Sequence, residues 1–233
     1  MFTLKRFFIL IVTALFAVSA AMGQSSGREM TIEESYLQEI IELTIIRETS
    51  RADSLDQKLV ALEFIGEAIN RGNTSENIRR ELEYLSFEGT VSQARENGRL
   101  VNNYPQVRRE AARYLGQIGT EEATETLLKI CLADNEPMVL QEAVKALGDI
   151  GINNNDKTID TITWIVRRFD VLNPDNLLAL SAIEAFEKIA KKNNGGLNSD
   201  AVQLLIRISE GPYIRPVQNR AKQLISDLRN MNR

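Results

Sequence analysis

The chain has 233 residues, 43% of them hydrophobic and 26% charged, with only 13 Gly and 5 Pro, which excludes disordered and collagen-like classes and leaves enough apolar residues for a core. It contains no histidine, which excludes Ser-His and Cys-His nucleophile pairs and imidazole metal ligands and leaves only carboxylate, lysine and tyrosine chemistry open. We predict no catalytic residues, no metal and no cofactor. Its net charge of −4 lacks the basic excess that nucleic-acid binding requires.

The first 23 residues predict a secretory signal peptide. Lys5 and Arg6 precede an apolar run over residues 7–18, and the small residues 19–21 follow it. A basic start, an apolar middle and small residues at the end are the three parts of a signal peptide. We therefore expect a bacterial protein that is exported, either to the periplasm or into the medium.

Cleavage is expected after Gly23, with Ala20 as the alternative, because both sites obey the small-x-small rule. An uncleaved membrane anchor is the competing interpretation, but the apolar stretch 7–22 has 16 residues and falls short of the ~20 that span a bilayer. Cleavage would remove two positive charges and change the net charge from −4 to −6. A polar linker, residues 24–30, would then start the mature chain, which we expect to have no stable membrane insertion.

Residues 31–233 predict one helical domain. Apolar residues recur at helical spacing throughout it, and no convincing alternation of the kind found in strands appears. Gly, Asn and Pro turn signals divide it into helices of about 12–18 residues. Thr120 and Asp175 stand where a side chain would cap the helix that follows. The predicted fold class is therefore all-α.

A self-similar segment marks the repeat. Residues 104–119 match residues 136–151 at an offset of 32, with Pro, Val, Glu, Ala, Leu, Gly, Ile and Gly in the same positions. Weaker copies occupy residues 57–68, 178–189 and 217–228. Spacings of roughly 32 to 50 residues are typical of repeat arrays.

Each copy follows a second amphipathic stretch, so one repeat is predicted to be an antiparallel pair of helices. The approximate repeats are 31–71, 74–119, 120–151, 156–192 and 198–230. Small residues at equivalent positions are expected to let the second helix approach its partner closely: Ala61, Ala111, Ala143, Ala182 and Ala221. We predict a right-handed α-solenoid of about five such pairs.

The pattern Pro-x-Val-Arg-x-x-Ala-Ala-x-x-Leu-Gly-x-Ile-Gly at 105–119, echoed at 137–151, resembles the second helix of a HEAT repeat. It is most similar to the short type shared with phycobilisome-lyase-like proteins. The sequence departs from the pattern at Asn176 and Arg215, where proline would stand, and at Leu140, where a basic residue would stand. The resemblance implies an armadillo-type superhelix whose curved surface docks proteins, and the lyase-like members also handle tetrapyrroles.

An insertion interrupts the second repeat, because residues 88–104 provide 17 residues where the other pairs turn within about three to five. Insertions in solenoids often lie beside the binding face, and arginine can receive a carboxylate bidentately. The candidate partner-binding residues are the polar side chains of the insertion and the arginines that follow it: Arg95, Arg99, Asn102, Asn103, Tyr104, Arg108, Arg109 and Arg113. In the competing interpretation the insertion adds a helical turn and a loop that cap the neighbouring pair, Arg108 pairs within the array, and Arg109 and Arg113 are solvated.

Three other side chains are assigned to the core: Cys131 as an inert thiol, and Trp164 and Phe169 as packing residues. The chain is therefore predicted to be a non-enzymatic scaffold that binds another protein of the cell envelope. One alternative is an accessory or lyase-like protein that handles a small ligand or chromophore. The other alternative is a membrane-tethered structural protein of the envelope.

Overall fold

The computed structural model describes residues 31–170, 174–194 and 196–231. The predicted signal peptide and the linker over residues 24–30 lie outside the described residues. The chain divides into two compact units, Met1–Ile41 and Glu42–Arg233. The described part of the first unit is the beginning of one helix, and the second unit holds the helical pairs.

Helices make up most of the described chain. They are α1 Ile32–Arg51, α2 Leu55–Asn70, α3 Glu76–Ser86, α4 Pro105–Ile118, α5 Glu121–Ala133, α6 Pro137–Ile150, α7 Lys157–Asp170, α8 Asn176–Lys192, α9 Ser199–Glu210 and α10 Arg215–Met231. A 3₁₀ turn covers Asn154–Asp156, and the two-residue strands β1 Arg95–Glu96 and β2 Arg99–Leu100 pair antiparallel. The all-α prediction is confirmed, although the expectation that no strand would form is wrong at this small hairpin.

The helices of the second unit pack in two layers. In one layer α2, α4, α6, α8 and α10 each contact the next, and in the other α3, α5, α7 and α9 do the same. From α3–α4 to α9–α10, the two helices of each pair also contact one another. This is the arrangement of an α-solenoid, in which each pair buries its apolar faces against its neighbours. The handedness of the array stays a prediction.

Local signals set the helix ends. The Thr120 side chain accepts the N–H three residues later, and the Asp175 carboxylate accepts the N–H groups two and three residues later, so both predicted caps are confirmed. α4 and α6 each begin with proline and end at Gly119 and Gly151, whose φ of 71° is left-handed. Proline at the start and glycine after the end are the residues that these positions favour.

Small residues let the second helices of successive pairs approach one another closely. All five alanine positions singled out in the sequence are buried: Ala61, Ala111, Ala143, Ala182 and Ala221. A Cβ added at Gly116 would lie 2.8 Å from the Cβ of Ala146, and one added at Gly148 would lie 2.5 Å from the Cα of Ala185. The contacts between α4 and α6, and between α6 and α8, therefore leave no room for a larger side chain at these points.

Candidate interaction surface

The turns inside successive helix pairs lie beside one another, and we call this side of the second unit the turn edge. It comprises residues 52–54, 87–104, 134–136, 174–175 and 211–214. The Tyr104 hydroxyl donates to the carbonyl oxygen of Asp53 at 3.1 Å, which joins the first two turns. The Ile214 N–H donates at 2.9 Å to the side chain of Asn176, the residue that follows the fourth turn, and this joins the last two turns.

The tip of the insertion is a β-hairpin rather than the extra helical turn considered from the sequence. β1 and β2 are connected by Asn97 and Gly98, whose φ values are 49° and 82°. Two residues with positive φ are characteristic of the type I′ turns that join antiparallel strands. The hairpin presents Arg95 and Arg99 to solvent. Among the described residues, no carboxylate forms an ion pair with either arginine.

The base of the hairpin is fixed by Asn102, which is buried. Its side-chain oxygen accepts the Ala94 N–H at 2.8 Å, and its Nδ2 donates to Ser92 O and to Glu88 Oε1 at 2.7 Å each. Three hydrogen bonds in a buried position leave Asn102 little capacity to contact a partner. Its role in the fold is to hold the two sides of the insertion together.

Glu88 attaches the insertion to the preceding helix pair. Its Oε2 accepts from Lys58 Nζ at 3.1 Å, and both side chains are buried. Lys58 Nζ also donates to the carbonyl oxygen of Ser50 at 2.9 Å. Buried charges are tolerated when they are paired and hydrogen-bonded in this way. The base of the insertion is thus part of the array itself.

Arg108 is a linking residue of the array, because its side chain is 1% exposed. Its Nε and Nη2 donate to the two carboxylate oxygens of Asp134 at 2.6 and 3.2 Å. Its Nη1 donates to Glu88 O and to Asn103 Oδ1, each at 2.9 Å. The guanidinium therefore has internal acceptors on every side, which leaves it unavailable to a partner. This geometry matches the competing interpretation, in which Arg108 pairs within the array.

Arg109 and Arg113 lie further along α4 and share one carboxylate, that of Glu110, at 3.0 and 2.7 Å. Arg113 also lies 4.2 Å from the ring centroid of Tyr114. Partial burial alone would raise the pKa of Glu110, but the hydrogen bonds from the two arginines lower it below its usual value. The predicted set is thus divided among an exposed hairpin tip, a buried base and a charge-compensated patch on α4.

A second exposed feature, not predicted from the sequence, lies on the last turns of α7 next to the turn edge. Trp164, which was expected in the core, is 45% exposed, whereas Phe169 is partly buried against the core as expected. The Arg168 guanidinium lies 5.4 Å from the ring centroid of Trp164 and 5.9 Å from that of Phe169. Beside them is a groove of about 640 Å³, lined by Asn135, Pro137, Arg168, Phe169, Pro174, Asp175, Asn176 and Leu177.

A helical projection of α7 contains the signal that identifies this face. Ile159, Ile162 and Val166 are fully or almost fully buried and define the inner stripe. Trp164 follows Ile162 by two residues, a rotation of about 200°, and so falls outside that stripe. Trp164 and Arg168 are four residues apart and therefore share the outer face. An aromatic side chain next to arginine on the outer face of a helix favours a binding surface over core packing.

Neither a reactive thiol nor a metal cluster stands out in the described ranges. Cys131 is fully buried, and burial raises its pKa to about 12. A thiol that stays protonated and inaccessible is inert, so the prediction for Cys131 is confirmed. Within the described residues, His, Cys, Asp and Glu form no group of three or more placed to bind a metal ion. The helices of those same ranges also lack the combination of length and apolar character needed to cross a bilayer.

Residues 99–167 match the family described as HEAT repeats. The match confirms the resemblance seen in the sequence, over the part of the chain where the two strongest copies of the repeat lie. No curated protein matches the chain in sequence.

A solved structure with a similar fold is the complex of CpcE and CpcF of phycocyanin lyase from Nostoc sp. PCC7120. The TM-score is 0.56 at 18% sequence identity, and the match covers 89% of this chain and 68% of that chain. At this identity the likeness shows a shared fold. A de novo designed 16-helix transmembrane nanopore matches with a TM-score of 0.26 at 14% identity over 84% of this chain and 61% of that chain, and nothing follows from so low a score.

Proposed function

We propose that this chain, with its HEAT repeats and its lyase-like fold, is an exported, non-enzymatic scaffold that binds another envelope protein through its turn edge. The observation that carries the proposal is the exposed pair Arg95 and Arg99 on a hairpin whose base is buried. Surface arginines without an internal carboxylate can receive one from a partner in bidentate geometry. HEAT-type arrays support the partner class, because their stacked pairs offer extended binding surfaces.

The test separates the hairpin tip from its base. We expect the double variant R95Q/R99Q to weaken capture of envelope partners by about 1–2 kcal/mol, the usual range for interface arginines. Its melting temperature should stay unchanged, because both side chains are exposed. The matched control is K222Q/R229Q on α10, which removes the same charge from exposed positions. Affinity capture from envelope extract and thermal melting would be measured on all three proteins.

A variant at the base should show the opposite pattern. N102A removes the side chain that holds the insertion together, so we expect a lower melting temperature and intact capture by the protein that remains folded. Equal capture by R95Q/R99Q and the unmodified chain, combined with this loss in N102A, would establish the insertion as a structural cap and exclude the hairpin as the contact.

Export is a separate part of the proposal and has its own measurement. We expect the mature protein to begin at Gln24 or within a few residues of it, because the small-x-small sites end at Ala20 and Gly23. Intact mass spectrometry of native material would give the terminus. A full-length chain retained in membranes would instead favour the membrane-tethered alternative.

A lyase-like or accessory role in handling a small ligand is the competing proposal. It draws support from the fold likeness alone, since the similar structure is a phycocyanin lyase complex. Protein purified from its native source and carrying a bound chromophore, visible by absorbance, would favour this role over the scaffold. A colourless protein that captures an envelope partner would favour the scaffold.

A further inference from the structure

The groove at the end of α7 has an apolar lining that faces solvent. Leu177, which lines it, is 61% exposed, and Trp164, which is 45% exposed, stands beside it through its contact with the groove residue Arg168. Pro137 and Pro174 also line the groove. Rigid proline and aromatic surfaces contribute contact area without losing side-chain freedom on binding. The groove therefore offers an apolar surface on which a side chain of a ligand can pack.

Arg168 gives the groove a fixed positive charge. Its guanidinium is stacked near the rings of Trp164 and Phe169, at 5.4 and 5.9 Å, and its Nη2 donates to the Asn135 side chain. These contacts use one N–H and limit the rotamers of the side chain. Within the ranges that the structure describes, the remaining N–H groups of the guanidinium have no other acceptor.

The charge of Arg168 has no carboxylate partner among the described residues, unlike the charges of Arg167 and Arg207. Arg167 lies 4.0 Å from the carboxylate of Asp200, and Arg207 donates to Asp170. Asp175 is on the groove wall, but its carboxylate accepts two backbone N–H groups at the start of α8 and a contact from Gln141. A carboxylate supplied by a ligand would therefore meet an uncompensated cation.

The groove adjoins a second depression along the turn edge. Asn135 lines it and also lines a hollow of about 200 Å³ beside the insertion, together with Thr90 and Gln93. A ligand that follows both depressions must be extended. A peptide in an extended conformation has this form, and it can present an acidic and an apolar side chain in succession.

We propose that this groove binds an extended segment of a partner protein, in which a Glu or Asp pairs with Arg168 and neighbouring apolar residues pack on Trp164 and on Leu177. The inference rests on the proposed scaffold function and adds the chemistry of the partner segment. It places the contact at a position separate from the hairpin arginines.

Trp164 is the only tryptophan of the chain, so its fluorescence reports on this site alone. The probes are synthetic nine-residue peptides with one Glu flanked by Leu, Phe or Pro, each with a counterpart in which Gln replaces Glu. Titration into the full exported chain should shift Trp164 emission, and the best Glu peptides should bind about 10-fold tighter than their Gln counterparts. R168Q should reduce this preference to less than about twofold.

Two further variants complete the design. W164A, followed by anisotropy of labelled peptides, should weaken Glu and Gln peptides alike by about 10-fold, because it removes apolar contact rather than charge. R167Q is the matched control on the same helix and should leave peptide affinity unchanged, because Arg167 already faces Asp200. Unchanged melting temperatures would show that R168Q and W164A fold normally, as expected for exposed side chains.

Two other occupants of the groove would give different results, and either result would overturn the assignment. N-acetylglutamate that binds as tightly as the peptides would identify a small carboxylate ligand. A Trp164 shift that depends on protein concentration without peptide would identify a second copy of the chain. If Glu and Gln peptides bind equally well while partner capture is intact, the groove is not the acidic-peptide site, and the scaffold proposal is unaffected. Arg168-dependent peptide binding without any captured envelope partner would contradict the scaffold alone.

Discussion

Successive helix pairs are joined differently on the two sides of Leu140. On the amino-terminal side a buried cation at the start of each second helix pairs with an acid in the next turn, as in Lys58–Glu88 and Arg108–Asp134. Leu140 occupies the position equivalent to Arg108 in the next repeat and is fully buried. The acid of the following pair, at the end of α7, must therefore find its partners elsewhere.

That acid is Asp170, and its partners belong to the last helix pair. It accepts from Arg207, whose side chain is 60% exposed, and from the Tyr213 hydroxyl at 2.8 Å. An ion pair is costly to break when both of its side chains are buried, whereas a pair with one exposed side chain is partly screened by water. The same array thus uses buried ion pairs in its first half and apolar packing with a solvated link in its second.

The largest effect should come from breaking the buried pair. D134A leaves Arg108 charged, buried and without its carboxylate, and we expect the free energy of unfolding to fall by about 3–5 kcal/mol. It also removes the acceptor of two backbone N–H groups in the turn that follows. Urea denaturation would measure the loss.

The control for this prediction is D170A on the other side of Leu140. Its partner Arg207 can return to water, so the loss should be clearly smaller than for D134A. Equal losses would show that the two halves of the array do not differ in the way inferred here. In the double variant R108M/D134L, apolar contacts should replace the pair and restore much of the stability.

The second helices approach one another closely in both halves of the array. A variant that disrupts this approach should therefore lower the stability by a similar amount on either side of Leu140. A111L and A143L each place a larger side chain at a fully buried position. We expect each to lower the free energy of unfolding by roughly 1–3 kcal/mol, because neighbouring helices are forced apart. K145L, at an exposed position of α6, is the control. An unchanged denaturation midpoint for A143L would contradict the repeat register.

The smallest effect concerns alkaline pH and belongs to the second half alone. Burial, and then the hydrogen bond to Asp170, raise the pKa of Tyr213 above its ordinary value of 10.0. In the unfolded chain the phenol loses its proton near that value, while in the folded chain it stays protonated. The stability contributed by Tyr213 is therefore present below pH 10 and falls as the pH rises above it.

Y213F provides the test of this linkage. Without the hydroxyl, the fall in unfolding free energy above pH 10 should be shallower than in the unmodified chain. Denaturation midpoints between about pH 8 and 11 would show the difference. Curves that stay parallel across this range would mean that Tyr213 does not contribute.

The sequence predicted those parts of the fold that depend on local or periodic signals. The repeat offset and the caps at Thr120 and Asp175 follow from residues close together in the chain. The hairpin is not predicted when Gly and Asn serve only as breaks between helices, although the dipeptide Asn97-Gly98 is also the strongest short hairpin signal. The burial of Arg108 depends on Asp134 in the next pair, a partner that no local pattern reveals.

The position of Leu140 also limits how an array like this one lengthens by gene duplication. A second copy of residues 120–151, inserted after the first, would place a new Asp134 equivalent opposite Leu140 and leave a buried acid without a cation. A copy of residues 105–136 would instead carry Arg108 and Asp134 together, and each duplicate would supply its own pair. The segment that can be duplicated with its buried ion pair intact is therefore offset from the helix pair seen in the fold. It begins with the second helix of one pair and ends after the first helix of the next pair.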